Sequence, residues 1–169
     1  MISKSDLRKQ LLEKRKTLNT EGLSNLICEK IKNLKEYKTA KNIFAYYPKP
    51  YEVDISHLFE DTKKNWYLPR VKGDNIEFIG FHIGDKLIKS EFGVFEPIGE
   101  KTSIIPDLII VPAISADKKR YRLGYGKGFY DRFLAHQNCP TVSPVFADLL
   151  SDELPAENHD KKIDIIVSQ

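Results

Sequence analysis

The stretch Asp107-Leu-Ile-Ile-Val-Pro-Ala-Ile-Ser-Ala-Asp-Lys-Lys-Arg-Tyr-Arg-Leu-Gly-Tyr-Gly-Lys-Gly-Phe-Tyr-Asp131 holds the strongest structural signal in the chain. It opens with Leu108-Ile-Ile-Val111, a continuous apolar run without the alternation of a half-exposed strand. Such a run reads as a strand covered on both faces, the habit of parallel sheets. Further on, Gly124, Gly126 and Gly128 occupy every second position, ahead of a helix expected near Tyr130 to His136. A buried strand, a glycine loop and a helix in that order predict an α/β fold.

Working outward, the same alternation of elements continues. Ser3 and Asp6 read as a capping box, and Leu7, Leu11, Leu12 and Leu18 mark the apolar stripe of a first helix. A second helix is expected after Asn19-Thr20, with Leu23, Leu26, Ile27, Ile31 and Leu34 at helical spacing. Asn42 to Tyr47 reads as a buried strand ending at Pro48 and Pro50. Glu52-Val-Asp54 leads into an expected helix carrying Ile55, Leu58 and Phe59. Trp66 to Val71 is strand-like, with Pro69 placing it at an edge or a strand end. Asn75 to Ile83 nearly alternates, and Lys86 to Lys101, with Gly93, Pro97 and Gly99, is irregular. Thr141 to Phe146 and Ile163 to Val167 complete the strands. The expected architecture is a single domain over residues 1–169, a three-layer α/β/α sandwich with a mainly parallel sheet.

Composition narrows the function classes. A chain of 169 residues can bury about 70% of its unfolded surface and needs no disulfide staples. Its two cysteines, Cys28 and Cys139, form no C-x-x-C, so neither a disulfide scaffold nor a cysteine zinc site is expected. The N-terminal residues carry charges and no apolar core of a signal peptide, and no run approaches a membrane span; a cytoplasmic location is expected. The net charge of +3 suits an anionic small ligand as well as it suits RNA.

The chemistry concentrates in Arg122 to Asp131. Glycine allows positive φ and close approach of a ligand to the main chain. Free N–H groups ahead of a helix make an anion site, to which Arg122 and Lys127 add fixed charge. Asp131 lies where a carboxylate can hold Mg²⁺ beside phosphates. The spacing is neither the Walker loop nor the dinucleotide fingerprint.

This segment resembles the signature of the 5-formyltetrahydrofolate cyclo-ligase family, a D-[LI]-[IL]-[LI]-V-P strand followed by R-L-G-x-G-x-G-[YF]-Y-D. The resemblance continues in order along the chain: Lys4-x-x-Leu7-Arg8, Tyr47, Glu52-Val-Asp54, Leu68-Pro69-Arg70, Phe92-Gly93 to Glu96-Pro97, Leu154-Pro155, His159-Asp160 and Asp164. Some positions depart from the family pattern. Ala113 and Ala116 replace a glycine and a phenylalanine, Arg120 takes a glycine position, Phe129 stands for tyrosine and Leu149 for glutamine. Arg120 is the sharpest departure, because a turn with φ > 0 tolerates arginine poorly.

The resemblance implies an enzyme that uses Mg-ATP to convert 5-formyltetrahydrofolate to 5,10-methenyltetrahydrofolate, ADP and phosphate. By resemblance, Lys4 and Arg8 reach the ATP phosphates from one helix face, together with Arg122, Leu123, Gly124, Tyr125, Gly126, Lys127, Gly128, Phe129 and Tyr130. Arg122, Lys127 and Tyr130 carry catalysis. Tyr47, Glu52, Tyr125, Gly126, Lys127, Gly128 and Phe129 border the folate. Asp131 and Asp164 bind Mg²⁺. The histidines show no metal spacing and read as structural or surface residues. A monomer is expected, without membrane or nucleic-acid partners. Three alternatives stay open: a degenerate member that binds without turnover, another phosphate-handling enzyme such as a sugar-phosphate isomerase, and an RNA-binding protein using Lys118 to Arg122 with Tyr121 as a stacking ring.

Overall fold

The structure, a computed structural model, describes residues 2–169. Ser3 caps helix α1 (Lys4–Arg15), its Oγ accepting from the Asp6 N–H and donating to the Asp6 carboxylate. Asn19 caps α2 (Thr20–Asn33), and a short α3 (Lys35–Thr39) follows. Then come β1 (Asn42–Phe44), β2 (Asn65–Lys72) and β3 (Asn75–Phe81). The remaining elements are a hairpin of β4 (Leu87–Lys89) and β5 (Phe95–Pro97), strand β6 (Leu108–Ile110), and a second hairpin of β7 (Ser115–Ala116) and β8 (Arg122–Leu123). Helix α4 (Phe129–Leu134), β9 (Thr141–Pro144) and β10 (Ile165–Val167) close the chain.

The central sheet has the order β10-β9-β6-β1-β2-β3, parallel throughout except for β3. Both faces are covered, as the unbroken apolar run of β6 demands. Leu108 and Ile110 join Ile27, Cys28 and Ile31 of α2 in the larger core. Ile109 and Val111 point the other way, into a smaller core with Leu134 of α4. There Phe44, Phe78 and Phe133 pack as an aromatic stack, with centroids 4.4 Å and 4.8 Å apart. The expected three layers are therefore present, with the α4 side the thinner one.

Several expectations need correction. The helix read after Glu52-Val-Asp54 is a single 3₁₀ turn, Ser56–Glu60. The Asp54 carboxylate accepts from the Ser56 N–H and the Asp61 N–H bonds back to Leu58, so the segment closes before an α-helix can propagate. β2 is not an edge strand, since β1 and β3 flank it. Its ladder with β1 runs only from Asn65 to Tyr67, however, and Pro69 lies past the end of β1 where no donor is needed. The irregular stretch from Lys86 contains the β4–β5 hairpin. Asp164 lies just ahead of β10 rather than within it.

Arg120 adopts φ 68° at the β7–β8 turn. The turn is held by Arg120 N–H to the Asp117 carbonyl and by Tyr121 N–H to the Asp117 carboxylate, both 2.9 Å. A left-handed conformation costs a non-glycine residue about 1–2 kcal/mol. Arg120→Gly should therefore raise unfolding free energy by about 1 kcal/mol, after glycine's own entropy cost, and the melting temperature by about 2–4 °C. A lower midpoint in thermal unfolding would show that the Arg120 side chain, whose Nη1 reaches the Asp164 carbonyl at 3.3 Å, outweighs the strain.

Candidate active site

The cleft forms where β1 and β6 end and their chains turn away, the position at which α/β sheets bind ligands. Tyr46 and Tyr47 follow β1, Pro112 follows β6, and α1 closes the open side through Lys4 and Arg8. The enclosed volume is about 870 Å³. Every residue expected at the site borders it, from Lys4, Arg8, Tyr47 and Glu52 to the whole run Arg122–Asp131, with the exception of Asp164.

The glycine loop is shaped by arginines. A Cβ on Gly124 would lie 2.6 Å from Arg122 Nη1, and one on Gly128 would lie 2.7 Å from Arg132 Nη1. Gly126 has φ 91°, and a Cβ there would crowd the Arg8 guanidinium at 3.2 Å. Arg8 is fixed in turn by its Nε, which donates to the Gly124 carbonyl at 2.7 Å. Each glycine thus leaves room for a cation beside the main chain. Leu123 contributes backbone, as its side chain is in the core. Phe129 packs edge-on against Phe92 from the tip of the β4–β5 hairpin, and the Lys127 ammonium lies 5.6 Å from the Phe92 ring centre.

Arg122 has a side chain only 6% exposed, with Nη2 3.3 Å from Asp131 Oδ1. Burial weakens its hold on the proton, and the Asp131 carboxylate opposes that effect. Among the described residues, its Nε and the Tyr130 hydroxyl are buried without a partner. Buried donors left unpaired are costly, so these two atoms are the ones a bound ligand would satisfy. Burial also keeps the Tyr130 phenol protonated far beyond neutral pH. It stands as a donor and not as a base.

A second part of the cleft is built on Glu52. Its carboxylate, in a residue 6% exposed, accepts from the Tyr125 hydroxyl and from the Lys49 N–H. Burial raises its pKa, and these two hydrogen bonds restrain but do not cancel the rise. Tyr125 is held protonated by burial and by Glu52 itself.

The metal expectation divides. Asp131 borders the cleft and Asp164 does not; one oxygen of Asp164, Oδ2, accepts from the Thr141 N–H and hydroxyl, at 2.9 and 3.0 Å, joining β9 to the start of β10. A carboxylate beside an apolar run needs a partner, and Thr141 is that partner. Asp160 borders the cleft together with Asp131. Burial works to raise its pKa, but hydrogen bonds from Lys4 Nζ at 2.6 Å and the Glu157 N–H at 2.7 Å prevail and lower it. Glu157, which the sequence did not single out, and His159, expected as a structural or surface residue, also border the cleft, and their ligand atoms with that of Asp160 lie within 4.8 Å of one another. The Asp131 and Asp160 carboxylates that border the cleft offer oxygens suited to a hard, oxygen-seeking cation such as Mg²⁺.

Arg15, Lys49, Phe92 and Arg132 were not anticipated from sequence. Arg15 follows Lys4, Arg8 and Leu11 at helical spacing, a signal that was available. The other three are placed by tertiary packing.

Comparison with known proteins agrees with this geometry. The model of the 5-formyltetrahydrofolate cyclo-ligase family matches residues 1–169. The 5-formyltetrahydrofolate cyclo-ligase of Mycoplasma pneumoniae is 32% identical over 99% of both chains. That of Mycolicibacterium smegmatis is 31% identical over 94% of this chain and 89% of its own. The NMR structure of Aquifex aeolicus 5,10-methenyltetrahydrofolate synthetase superposes with a TM-score of 0.85 at 34% identity, covering 98% of this chain and 89% of that one. Sequence, fold and cleft agree, and the chain belongs to the 5-formyltetrahydrofolate cyclo-ligase family.

Proposed function

We propose that the protein catalyses the ATP-dependent closure of 5-formyltetrahydrofolate to 5,10-methenyltetrahydrofolate, with ADP and phosphate as the other products. The observation that carries this reading is a single cleft with two chemically distinct ends. One end is a glycine loop set among Arg8, Arg122 and Lys127, suited to a triphosphate. The other is the buried Glu52 carboxylate, an acceptor suited to the amino and ring N–H groups of a pterin.

The reaction needs ATP because an amide oxygen is a poor leaving group. The formyl oxygen attacks the γ-phosphorus, the bond to ADP breaks, and the oxygen becomes part of a phosphate. N10 then attacks the formyl carbon and loses its proton, and the carbon–oxygen bond breaks to release phosphate. Phosphoryl transfer of this kind is catalysed mainly by positioning and fixed charge. Arg122 and Lys127 neutralise the transferring oxygens. The Tyr130 hydroxyl and Arg122 Nε donate to them. Arg8 and Lys4 bind the rest of the triphosphate, and Glu52 with Tyr47 orients the folate ring. Asp131 and Asp160 would hold Mg²⁺, which supplies charge neutralisation between phosphates. Phe92 and Phe129 exclude water from the loop.

Of the basic cluster read as an RNA-binding stretch, Lys118 pairs with Asp152, Lys119 with Glu153, and Arg122 is buried. Among the described residues no helix is long and apolar enough to cross a membrane.

The test is the growth of methenyl absorbance when purified protein meets 5-formyltetrahydrofolate and Mg-ATP, with ATP omitted as the control. ATP-dependent growth is expected, and its absence from folded protein would overturn the reading. Asp160→Asn should raise the Mg²⁺ concentration giving half-maximal rate by about ten-fold or more, as loss of one ionic ligand implies. Asp164→Asn should leave that concentration unchanged and lower only the unfolding temperature.

A further inference from the structure

The face that α1 turns toward the cleft is polar where a packing helix is ordinarily apolar. Lys4 and Arg8 serve the phosphate end. Arg15, two turns beyond Arg8, is 6% exposed and reaches a different place. Its Nη1 donates to the Tyr125 hydroxyl at 2.8 Å, its Nε has no partner, and among the described residues it forms no ion pair with a carboxylate. A buried guanidinium with no carboxylate in direct contact is expensive, so its placement calls for a reason.

The hydrogen-bond directions supply one. A phenol has a single proton. Because Arg15 donates to the Tyr125 oxygen, that proton is committed to Glu52 Oε1. Glu52 Oε2 is engaged by the Lys49 N–H at 2.6 Å. The Tyr125 ring is itself bordered by two cations, with Lys49 Nζ at 4.5 Å and Arg15 Cζ at 5.8 Å from its centre. Each carboxylate oxygen of Glu52 thus has one bond to the protein and a lone pair left for a ligand.

We propose that Arg15 is a positioning residue for the folate ring: through Tyr125 it holds the Glu52 carboxylate in the orientation that accepts two adjacent N–H groups. This rests on the reading that Glu52 meets the pterin. Arg15 touches neither substrate, so its effect is confined to the folate end of the cleft. The charged and titratable groups around Glu52 are Arg15 from α1, Lys49 from its own loop, Tyr46 after β1, Tyr125 from the glycine loop and Tyr130 from α4. Arg15 and Lys49 are the cations among them.

The test compares Arg15→Met, Arg15→Lys, Tyr125→Phe, the Arg15→Met/Tyr125→Phe double variant and Glu52→Gln. Calorimetric Kd for 5-formyltetrahydrofolate is read beside KM for each substrate and kcat. Arg15→Met should weaken folate binding about ten-fold, near the value of one charge-assisted hydrogen bond, while KM for ATP and kcat change less than about two-fold. Arg15→Lys, still a donor, should recover most of the loss. The double variant should be no weaker than Tyr125→Phe alone, because both changes cut the same link. The acid limb of kcat/KM for folate should move to higher pH in Arg15→Met, since a positive charge that lowers the Glu52 pKa is gone. Additive losses in the double variant, or an equal rise in both KM values, would overturn the proposal. If Arg15→Met does not fold, Arg15→Lys and Tyr125→Phe decide the matter alone. Unchanged folate affinity in Glu52→Gln removes the premise. Weakened affinity in Glu52→Gln with none in Arg15→Met overturns the Arg15 role and leaves the site reading standing.

Discussion

Arg122→Ala is expected to lower kcat by about 10³-fold or more, the scale of losing an arginine that meets a transferring phosphoryl group. The guanidinium is buried, so its charge acts through little water and needs no reorganisation as charge develops. Its Nε is unspent in the protein, and its ion partner Asp131 is itself proposed to hold Mg²⁺. Removing Arg122 therefore weakens both phosphate neutralisation and the placement of Asp131, which among the described residues keeps only the Lys161 N–H at 3.1 Å. Arg122→Lys should recover part of the rate, because lysine restores a point charge but not the planar fork. Folate affinity should hold in both variants, since the Glu52 carboxylate is held by Tyr125 and the Lys49 N–H and not by Arg122. Wild-type turnover in Arg122→Ala would overturn the assignment of the loop.

Glu52→Gln should cut kcat/KM for folate by at least about 10²-fold, from two charge-assisted hydrogen bonds to the ring at about 1.5–3 kcal/mol each. A glutamine has one acceptor atom where the carboxylate has two. If its oxygen meets the Lys49 N–H, its amide faces a Tyr125 hydroxyl already accepting from Arg15. The same change should stabilise the empty protein near neutral pH. Glu52 has its folded-state pKa raised by burial, so ionisation favours the unfolded chain as pH rises through and above its unfolded value. The advantage of Glu52→Gln should therefore shrink as pH falls toward the ordinary glutamate range. Urea unfolding of both proteins at acid and neutral pH measures this. A variant less stable at neutral pH than the wild type would show that the carboxylate's hydrogen bonds outweigh its burial.

The two kinds of pattern in this chain differed in what they revealed. The apolar run at β6 was legible because both of its faces are covered, leaving no polar residue to confuse the period. The glycine loop was legible because its spacing combined with cations, a carboxylate and a following helix. The 3₁₀ turn at Ser56–Glu60 was misread because an Asx turn and an α-helix begin with the same residues. The placement of the aspartates was not legible either: Asp160 and Asp164 are close in sequence, and only their partners, Lys4 and Thr141, separate a residue that borders the cleft from one that ties two strands. Those partners come from α1 and β9, far away along the chain. Arg15 fell between the cases. Its helical spacing was visible, but a cation on a charged helix is usually solvated, and only Tyr125 reveals why this one is buried.

The arginines beside the glycine loop restrict how this sequence can change over generations. At Gly124 and Gly128 the missing Cβ is replaced in space by the guanidinium of Arg122 or Arg132. An ancestor or descendant that gained a side chain at either glycine would have to shorten or re-aim that arginine in the same lineage. Loss of the arginine first would open the route. Because Arg122 is also proposed to meet the phosphates, the Gly124 route passes through an intermediate with little activity. Arg132, which binds the Asp74 and Lys127 carbonyls and is assigned no chemical step, leaves an easier one. Gly128, although its φ of 70° still disfavours a side chain, is thus the position of the two where drift among relatives should surface first, accompanied by change at Arg132.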